Sequence, residues 1–167
     1  MKFNRVFSMP SAWTFTIKPV RELLAKYDVG VGWVDPFAGD NSPAEITNDM
    51  NPERKATFHL EAKEFCETLH SAYSGVLYDP PYSFRQVSEH YKMLGKKASA
   101  IDTSANFHKK VKDVVAPKIK IGGHSISFGW NSMGMGKTRG FEIVEILLVA
   151  HGSNNNDTIV TVEKRIK

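Results

Sequence analysis

Cysteine is nearly absent from this sequence of 167 residues, in which Cys66 is the single example. One thiol cannot form a disulfide within the chain, so a disulfide-stapled fold is excluded and a reducing, cytoplasmic setting is expected. Long apolar runs are missing as well, because no stretch approaches the roughly 20 residues that a membrane-spanning helix needs. The first residues also lack the apolar stretch of a secretory signal. The sequence therefore predicts a cytoplasmic protein with no membrane partner.

Internal repeats, low-complexity tracts and long linkers are also missing, which predicts a single domain over residues 1–167. The composition, 41% hydrophobic and 24% charged, is that of a globular protein. The formal net charge is +4. A basic balance suits a polyanionic partner such as nucleic acid, because lysine and arginine neutralise phosphates.

Short apolar segments alternate with helical periodicity along the chain. Strands are predicted at residues 29–34, 44–48, 75–78 and 125–129, and helices within residues 13–27, at 61–69, at 83–94 and before Pro117. Residues 142–150 and 158–163 follow as two successive strands. This order indicates an α/β fold with a mostly parallel sheet and an antiparallel C-terminal edge. Ligands bind at the carboxyl ends of such strands, where Asp35 and Asp79 are expected to share one crevice.

The most specific pattern is Asp-Pro-Pro-Tyr at residues 79–82. Two prolines lock the backbone after a strand and cannot donate to a sheet, so the turn presents the Asp79 carboxylate and the Pro80 carbonyl as fixed acceptors. Two acceptors would hold both hydrogens of an exocyclic base amine and free the nitrogen lone pair. Tyr82 would stack on a base taken out of its helix. The alternative interpretation is a plain strand-to-helix turn.

The tetrapeptide resembles the (D/N/S)PP(Y/F/W) signature of the amino-methyltransferases, which use S-adenosylmethionine to methylate adenine or cytosine amines in DNA. Its Asp-first form is typical of the adenine-specific members. Asp35, Pro36, Phe37 and Gly39 resemble the family's DPFxGxG turn, which wraps the methionine part of the cofactor. The resemblance implies a Rossmann-like methyltransferase domain that methylates adenine in DNA by direct in-line transfer.

The resemblance also implies further contacts with the cofactor. Asp35 would pair with its ammonium group, Asp49 would accept the ribose hydroxyls, and Glu61 would meet the adenine amine. Phe15 and Lys18 belong to a segment that resembles the family's amino-terminal motif, from which Lys18 would reach the cofactor carboxylate. The alternatives are a turn aspartate at 49, an exposed glutamate at a helix start, a packed aromatic ring and a lysine that only covers apolar surface.

The sequence departs from the family in two places. Asn41 replaces the second glycine of the cofactor turn, and the interval before the second strand is too short for the usual helix. The chain also has no room for a separate target-recognition domain, which leaves open a homodimer or a separate specificity partner.

A glycine-rich basic segment at residues 131–140 is predicted to clamp nucleic acid. Lys137 and Arg139, with Lys96 and Lys97 in the loop after the helix at 83–94, would contact phosphates of DNA, or of RNA as an alternative. The segment is not a P-loop, because Asn131 stands where the first glycine would be required. A mobile surface loop is the plain alternative.

No metal-binding pattern is expected, since the six histidines are scattered and Cys66 lies on an apolar helix face. Three other functions stay open. The acceptor could be a cytosine amine or an RNA base, it could be a protein glutamine amide, or the chain could be a non-catalytic subunit that binds cofactor or nucleic acid.

Overall fold

A computed structural model describes residues 1–70, 72–81, 105–152 and 155–167 of the chain. The described residues form three α-helices, α1 (Lys18–Lys26), α2 (Ala62–Thr68) and α3 (Ala105–Val115). They also form seven strands, β1 (Lys2–Phe7), β2 (Trp33–Asp35), β3 (Ile46–Thr47), β4 (Tyr73–Tyr78), β5 (Ile119–Gly129), β6 (Phe141–Ala150) and β7 (Thr158–Arg165). The predicted helix at 83–94 lies outside the described residues.

The strands form one sheet in the order β1-β6-β7-β5-β4-β2-β3. β7 is antiparallel to both of its neighbours, whereas the other pairings in the sheet are parallel. The predicted α/β fold, with a mostly parallel sheet and antiparallel pairing on its C-terminal side, is therefore confirmed. Beyond that pairing lies β1, which pairs with β6 and was not predicted, because its outer position leaves most of its side chains exposed and without an apolar periodicity.

Helices cover both faces of the sheet, and each face buries its own apolar cluster. On one face, α1 places Val20, Leu23 and Leu24 against strand residues such as Leu77 and Val160. On the other face, α2 and α3 bury a second cluster, which includes Phe65, Val76, Val111, Met135 and Phe141. The structure is thus a three-layer sandwich, in which the sheet supplies both buried surfaces.

The connection between β2 and β3 contains no helix, as the short interval predicted. β2 itself is shorter than expected. It begins at Trp33 because Gly32 adopts a left-handed conformation (φ 78°) that ends the preceding turn. The same turn is closed by a hydrogen bond from the Trp33 N–H to the Gly30 carbonyl. The turn at residues 36–39 therefore follows a strand of only three residues.

Residues 130–140 form a crossing segment that runs back along the sheet, from the carboxyl end of β5 to the amino end of β6. β5 and β6 are both antiparallel to β7, so they are parallel to each other, and the chain must return after Gly129 before it enters β6 at Phe141. Glu163 of β7 anchors the crossing, since its carboxylate accepts hydrogen bonds from the Met135 and Gly136 N–H groups. The crossing segment is therefore packed into the protein, with Met135 fully buried.

None of the helices in the described residues has the length and apolarity needed to cross a membrane. The described residues also contain no group of three or more His, Cys, Asp or Glu side chains placed to hold a metal ion.

Candidate active site

The two motifs singled out from the sequence leave neighbouring strands at the same edge of the sheet. β2 and β4 are parallel, with Trp33 beside Gly75 and Val34 beside Val76. The chain leaves β2 after Asp35 and β4 after Tyr78, so the turns that follow lie next to each other. Because both turns occupy the carboxyl ends of parallel strands, they stand where α/β proteins bind ligands.

A cavity of about 340 Å³ opens between these turns. That volume is within the range of sites for small molecules and cofactors, roughly 300–1,000 Å³. The lining includes most of the residues that the sequence predicted for the cofactor and the chemistry, namely Phe15, Pro36, Phe37, Gly39, Asp49, Glu61, Asp79 and Pro80. The structure thus brings together residues that are separated by up to 65 positions in the chain.

Asp49 organises the floor of the cavity through its carboxylate. Its two oxygens accept hydrogen bonds from the N–H groups of Gly39 (3.0 Å) and Asn51 (2.8 Å). Gly39 has a φ of 57°, a left-handed conformation in which glycine carries no steric penalty. Asp49 therefore ties the end of β3 to the turn after β2, and its side chain also faces the cavity.

Asn48 also lines the cavity, although no role was predicted for it from the sequence. Its fully buried amide donates to the carbonyls of Pro36 (3.1 Å) and Leu60 (3.0 Å) and accepts from the Leu60 N–H (2.9 Å). This one side chain joins three segments of the cavity wall. A polar residue directly after a strand was the available signal, but its three partners are backbone groups that a sequence does not reveal.

Asp35 corrects one expectation, because its side chain lies beneath the cavity and outside the lining. It is fully buried, and its carboxyl accepts hydrogen bonds from the Phe37 N–H (2.9 Å) and the Ser42 hydroxyl (2.6 Å). Burial raises its pKa to about 7, and the nearby charges of Asp79 and Asp49 act in the same direction. Asp35 therefore shapes the turn and does not reach a bound ligand directly.

Lys18 does not line the cavity, in contrast to its expected contact with the cofactor. At the start of α1 its side chain is 76% exposed and lies 3.9 Å from Glu22, one turn further along the same helix. Phe15, from the same segment, is buried against Phe128 and lines the cavity as expected. The difference arises because Phe15 precedes the helix and packs inward, whereas Lys18 falls on the solvent side of α1.

Trp13 and Arg54 line the cavity without having been assigned a firm role from the sequence. The Arg54 guanidinium lies 5.2 Å from the centre of the Trp13 ring and forms a 3.0 Å ion pair with Asp40. Asp40 also accepts a hydrogen bond from the Lys55 N–H. Together these contacts connect residues 13, 40 and 54 beside the cavity.

Lys137 and Arg139 do not flank the cavity, which corrects the predicted clamp. They lie just before Phe141, at the amino end of β6. Because β6 runs parallel to β4 and β2, this position is at the end of the sheet opposite the carboxyl ends of β2 and β4. Arg139 is engaged there by Asp113 (2.7 Å) and by the Met135 carbonyl (2.7 Å). The predicted contacts at Tyr82, Lys96 and Lys97 lie outside the described residues.

Comparison with known proteins matches the chain to solved methyltransferase structures, whereas no protein-family model and no curated protein matches it. TrmN from Thermus thermophilus superposes with a TM-score of 0.58 at 14% identity, over 90% of this chain and 49% of TrmN. The N-methyltransferase NodS from Bradyrhizobium japonicum gives 0.57 at 9% identity, over 90% of this chain and 96% of NodS.

A third structure is the 1,6-didemethyltoxoflavin-N1-methyltransferase from Burkholderia thailandensis, which contains S-adenosylhomocysteine. It gives a TM-score of 0.57 at 9% identity, over 88% of this chain and 76% of that enzyme. At these identities the likeness concerns the architecture. The chain therefore adopts the Rossmann-like fold of these methyltransferases.

Proposed function

We propose that this protein is an S-adenosylmethionine-dependent methyltransferase that methylates the exocyclic amine of adenine in DNA. The observation that carries the proposal is the meeting of two turns at one cavity. The Asp79 and Pro80 turn, with its two fixed acceptors, lines the same space as Gly39, Asp49 and Glu61. One side of the cavity thus suits the target amine, and the other suits the cofactor.

The residues present fit the cofactor chemically. S-adenosylmethionine carries a positive sulfonium and an ammonium group, and the described lining contributes the carboxylates of Asp49 and Glu61 on the side of the cavity assigned to the cofactor. Asp49 would accept the ribose hydroxyls, and Glu61 at the start of α2 would meet the adenine amine. When bound, the cofactor supplies an activated methyl group. The solved Burkholderia structure contains S-adenosylhomocysteine, the demethylated cofactor, and supports S-adenosylmethionine as the cofactor here.

The target amine would be held by Asp79 and Pro80. Pro80 is buried and Asp79 is half-buried, so both acceptors have fixed positions at the wall of the cavity. With its two hydrogens engaged, the amine nitrogen would present its lone pair to the methyl group that the cofactor supplies. Asp79 or water would accept the proton that the methylated nitrogen loses. Tyr82 is proposed to stack on the target base.

A covalent route through the cysteine is disfavoured. Cys66 is fully buried on α2, and burial raises the pKa of its thiol to about 12. A thiol in that state is not a nucleophile at neutral pH. Two of the matched structures are named as N-methyltransferases, which supports a nitrogen acceptor here as well.

The decisive experiment is incubation of the protein with methyl-labelled S-adenosylmethionine and either DNA or RNA, followed by identification of the modified nucleoside. We expect label in N6-methyladenine from DNA. Label in a cytosine amine or in RNA would change the acceptor, and transfer to neither nucleic acid would favour a protein acceptor or a non-catalytic subunit.

The Asp79→Ala variant provides the matched test of mechanism. We expect it to retain its thermal unfolding temperature and its affinity for S-adenosylhomocysteine, while turnover falls by about a hundredfold or more. Asp79 acts on the amine in the transition state, so the loss belongs to kcat. A folded variant with wild-type activity would contradict the mechanism.

A further inference from the structure

The described lining of the cavity carries an unequal set of charges. Three side chains are carboxylates, those of Asp49, Glu61 and Asp79, and one, that of Arg54, is a guanidinium. A ligand complementary to this set has positive or hydrogen-donating groups along most of its length and one anionic group at the position of Arg54.

Arg54 is held in a defined position before any ligand arrives. Its Nη1 donates to Asp40 over 3.0 Å, and its guanidinium stacks 5.2 Å from the centre of the Trp13 ring. Hydrogen bonding by the Lys55 N–H, and then by Arg54, lowers the pKa of Asp40, which keeps the pair ionised at neutral pH. A guanidinium has five N–H donors in a planar fork, so one further anion can be bound beside the Asp40 pair.

The position of Arg54 identifies which part of a ligand it would meet. Trp13 packs over Gly39, where an added Cβ would lie 3.6 Å from the indole ring, and Asp40 follows Gly39 directly. Arg54 therefore stands at the end of the cavity formed by the turn after β2. Lys18, the basic residue that the sequence suggested for this end, points to solvent beside Glu22.

We propose that Arg54 binds the α-carboxylate of the amino-acid portion of S-adenosylmethionine, with Trp13 and Asp40 orienting its guanidinium. The inference rests on the proposed function, because it assumes that the cavity binds this cofactor. Arg54 replaces the contact expected of Lys18, and it does so in a chain that lacks the usual helix between β2 and β3. Since it recognises the amino acid and not the nucleoside, Arg54 determines specificity for the intact cofactor.

The alternative role is purely structural. In that case Arg54 only ties residues 36–45 to the segment after β3 through Asp40, and its loss would disturb the whole cavity. The two roles differ in which ligands they affect. A carboxylate contact matters only to ligands that possess the carboxylate, whereas a distorted cavity would bind every nucleoside ligand more weakly.

The experiment compares two probes by calorimetry: S-adenosylhomocysteine, which has the carboxylate, and 5′-methylthioadenosine, which lacks the amino acid. We expect Arg54→Gln to weaken S-adenosylhomocysteine about ten- to a hundredfold, as for the loss of a charge-assisted hydrogen bond. Binding of 5′-methylthioadenosine should change by no more than about twofold. Arg54→Lys should give an intermediate loss, because it keeps the charge without the fork.

Asp40→Asn tests the orientation of Arg54, since it removes the ion pair and retains the guanidinium. We expect it to weaken S-adenosylhomocysteine less than Arg54→Gln does, and to change the binding of 5′-methylthioadenosine by no more than about twofold. Equal weakening of both probes by Arg54→Gln would assign Arg54 to loop structure, and unchanged binding of both would remove it from the site. Either result overturns the inference. Wild-type protein that binds only 5′-methylthioadenosine would do so as well, whereas wild-type protein that binds neither probe would contradict the proposed function itself.

Discussion

Three aspartates around the cavity have the same side chain and very different surroundings. Asp35 is sealed under the turn, Asp49 accepts two backbone N–H groups, and Asp79 stands half-buried at the cavity wall. Burial opposes ionisation, while hydrogen bonds and open access to water favour it. At the scale of single residues, these surroundings separate a structural acid from two acids that can meet ligands.

The titration of Asp35 predicts a pH-dependent stability. The pKa of Asp35 is about 7 in the folded protein, against an ordinary 3.8. At a pH between these two values the folded protein keeps the proton on Asp35, whereas the unfolded chain has lost it. Its contribution to the free energy of unfolding is complete below the ordinary pKa and is lost as the pH rises through about 7. We expect the titration of Asp35 to lower the free energy of unfolding by about 1 to 3 kcal/mol as the pH rises from roughly 5 to 8.

The measurement is denaturant unfolding of the wild type and of Asp35→Asn at both pH values. Asparagine has nearly the same shape and no charge, so the variant should lose less stability on going to the higher pH. Parallel pH profiles for the two proteins would show that Asp35 does not titrate in this range.

At the scale of elements, the crossing segment at residues 130–140 depends on one buried carboxylate. Glu163 accepts from the Met135 and Gly136 N–H groups, and Lys112 of α3 donates to the Gly134 carbonyl over 2.8 Å. Burial lowers the pKa of Lys112, whose amine also lies 5.1 Å from the centre of the Tyr78 ring. Gly134 thus serves close packing, because a Cβ at this position would lie 2.0 Å from Glu163.

We predict that Glu163→Ala lowers the free energy of unfolding by about 2 to 4 kcal/mol, because two backbone donors lose their buried acceptor. Glu163→Gln should lose less, since its amide oxygen still accepts one of them. Thermal and denaturant unfolding measure both changes. Glu142→Ala, an exposed position on β6, should stay within about 0.5 kcal/mol of the wild type. A similar loss in all three variants would contradict the anchoring role.

At the scale of the whole molecule, the expected path of a nucleic acid depends on where the basic side chains lie relative to the cavity, more than on the net charge of +4. α3 starts at the cavity, where Phe107 forms part of the lining, and its exposed Lys109 and Lys110 lie one turn further along. Lys137 and Arg139 lie at the opposite edge of the sheet. A nucleic acid that places a base in the cavity would therefore meet the first pair and not the second.

We predict that Lys109→Gln with Lys110→Gln flattens the salt dependence of DNA binding by about two units in the slope of log K against log salt. Lys137→Gln with Arg139→Gln is the matched control and should leave the slope of the wild type. Fluorescence anisotropy with labelled DNA measures all three slopes. Should the control pair flatten the slope instead, the DNA would run across the opposite edge of the protein.

The sequence by itself determined the architecture and the two turns that meet at the cavity. Alternating apolar segments predicted the mostly parallel sheet, and the short interval after Gly39 predicted a connection without a helix. The turns after Asp35 and Asp79 follow strands, as proline and glycine patterns indicated. These features depend on local periodicity and turn chemistry, which neighbouring residues in the chain decide.

Only the tertiary structure decided which side chains reach the cavity. The insertion of β7 between β5 and β6 makes those strands parallel, and this pairing carries Lys137 and Arg139 to the far edge. Packing buried Asp35, turned Lys18 to solvent and brought Arg54 beside Trp13, 41 positions earlier in the chain. Such placements arise from contacts between distant segments, and no pattern within one segment records them.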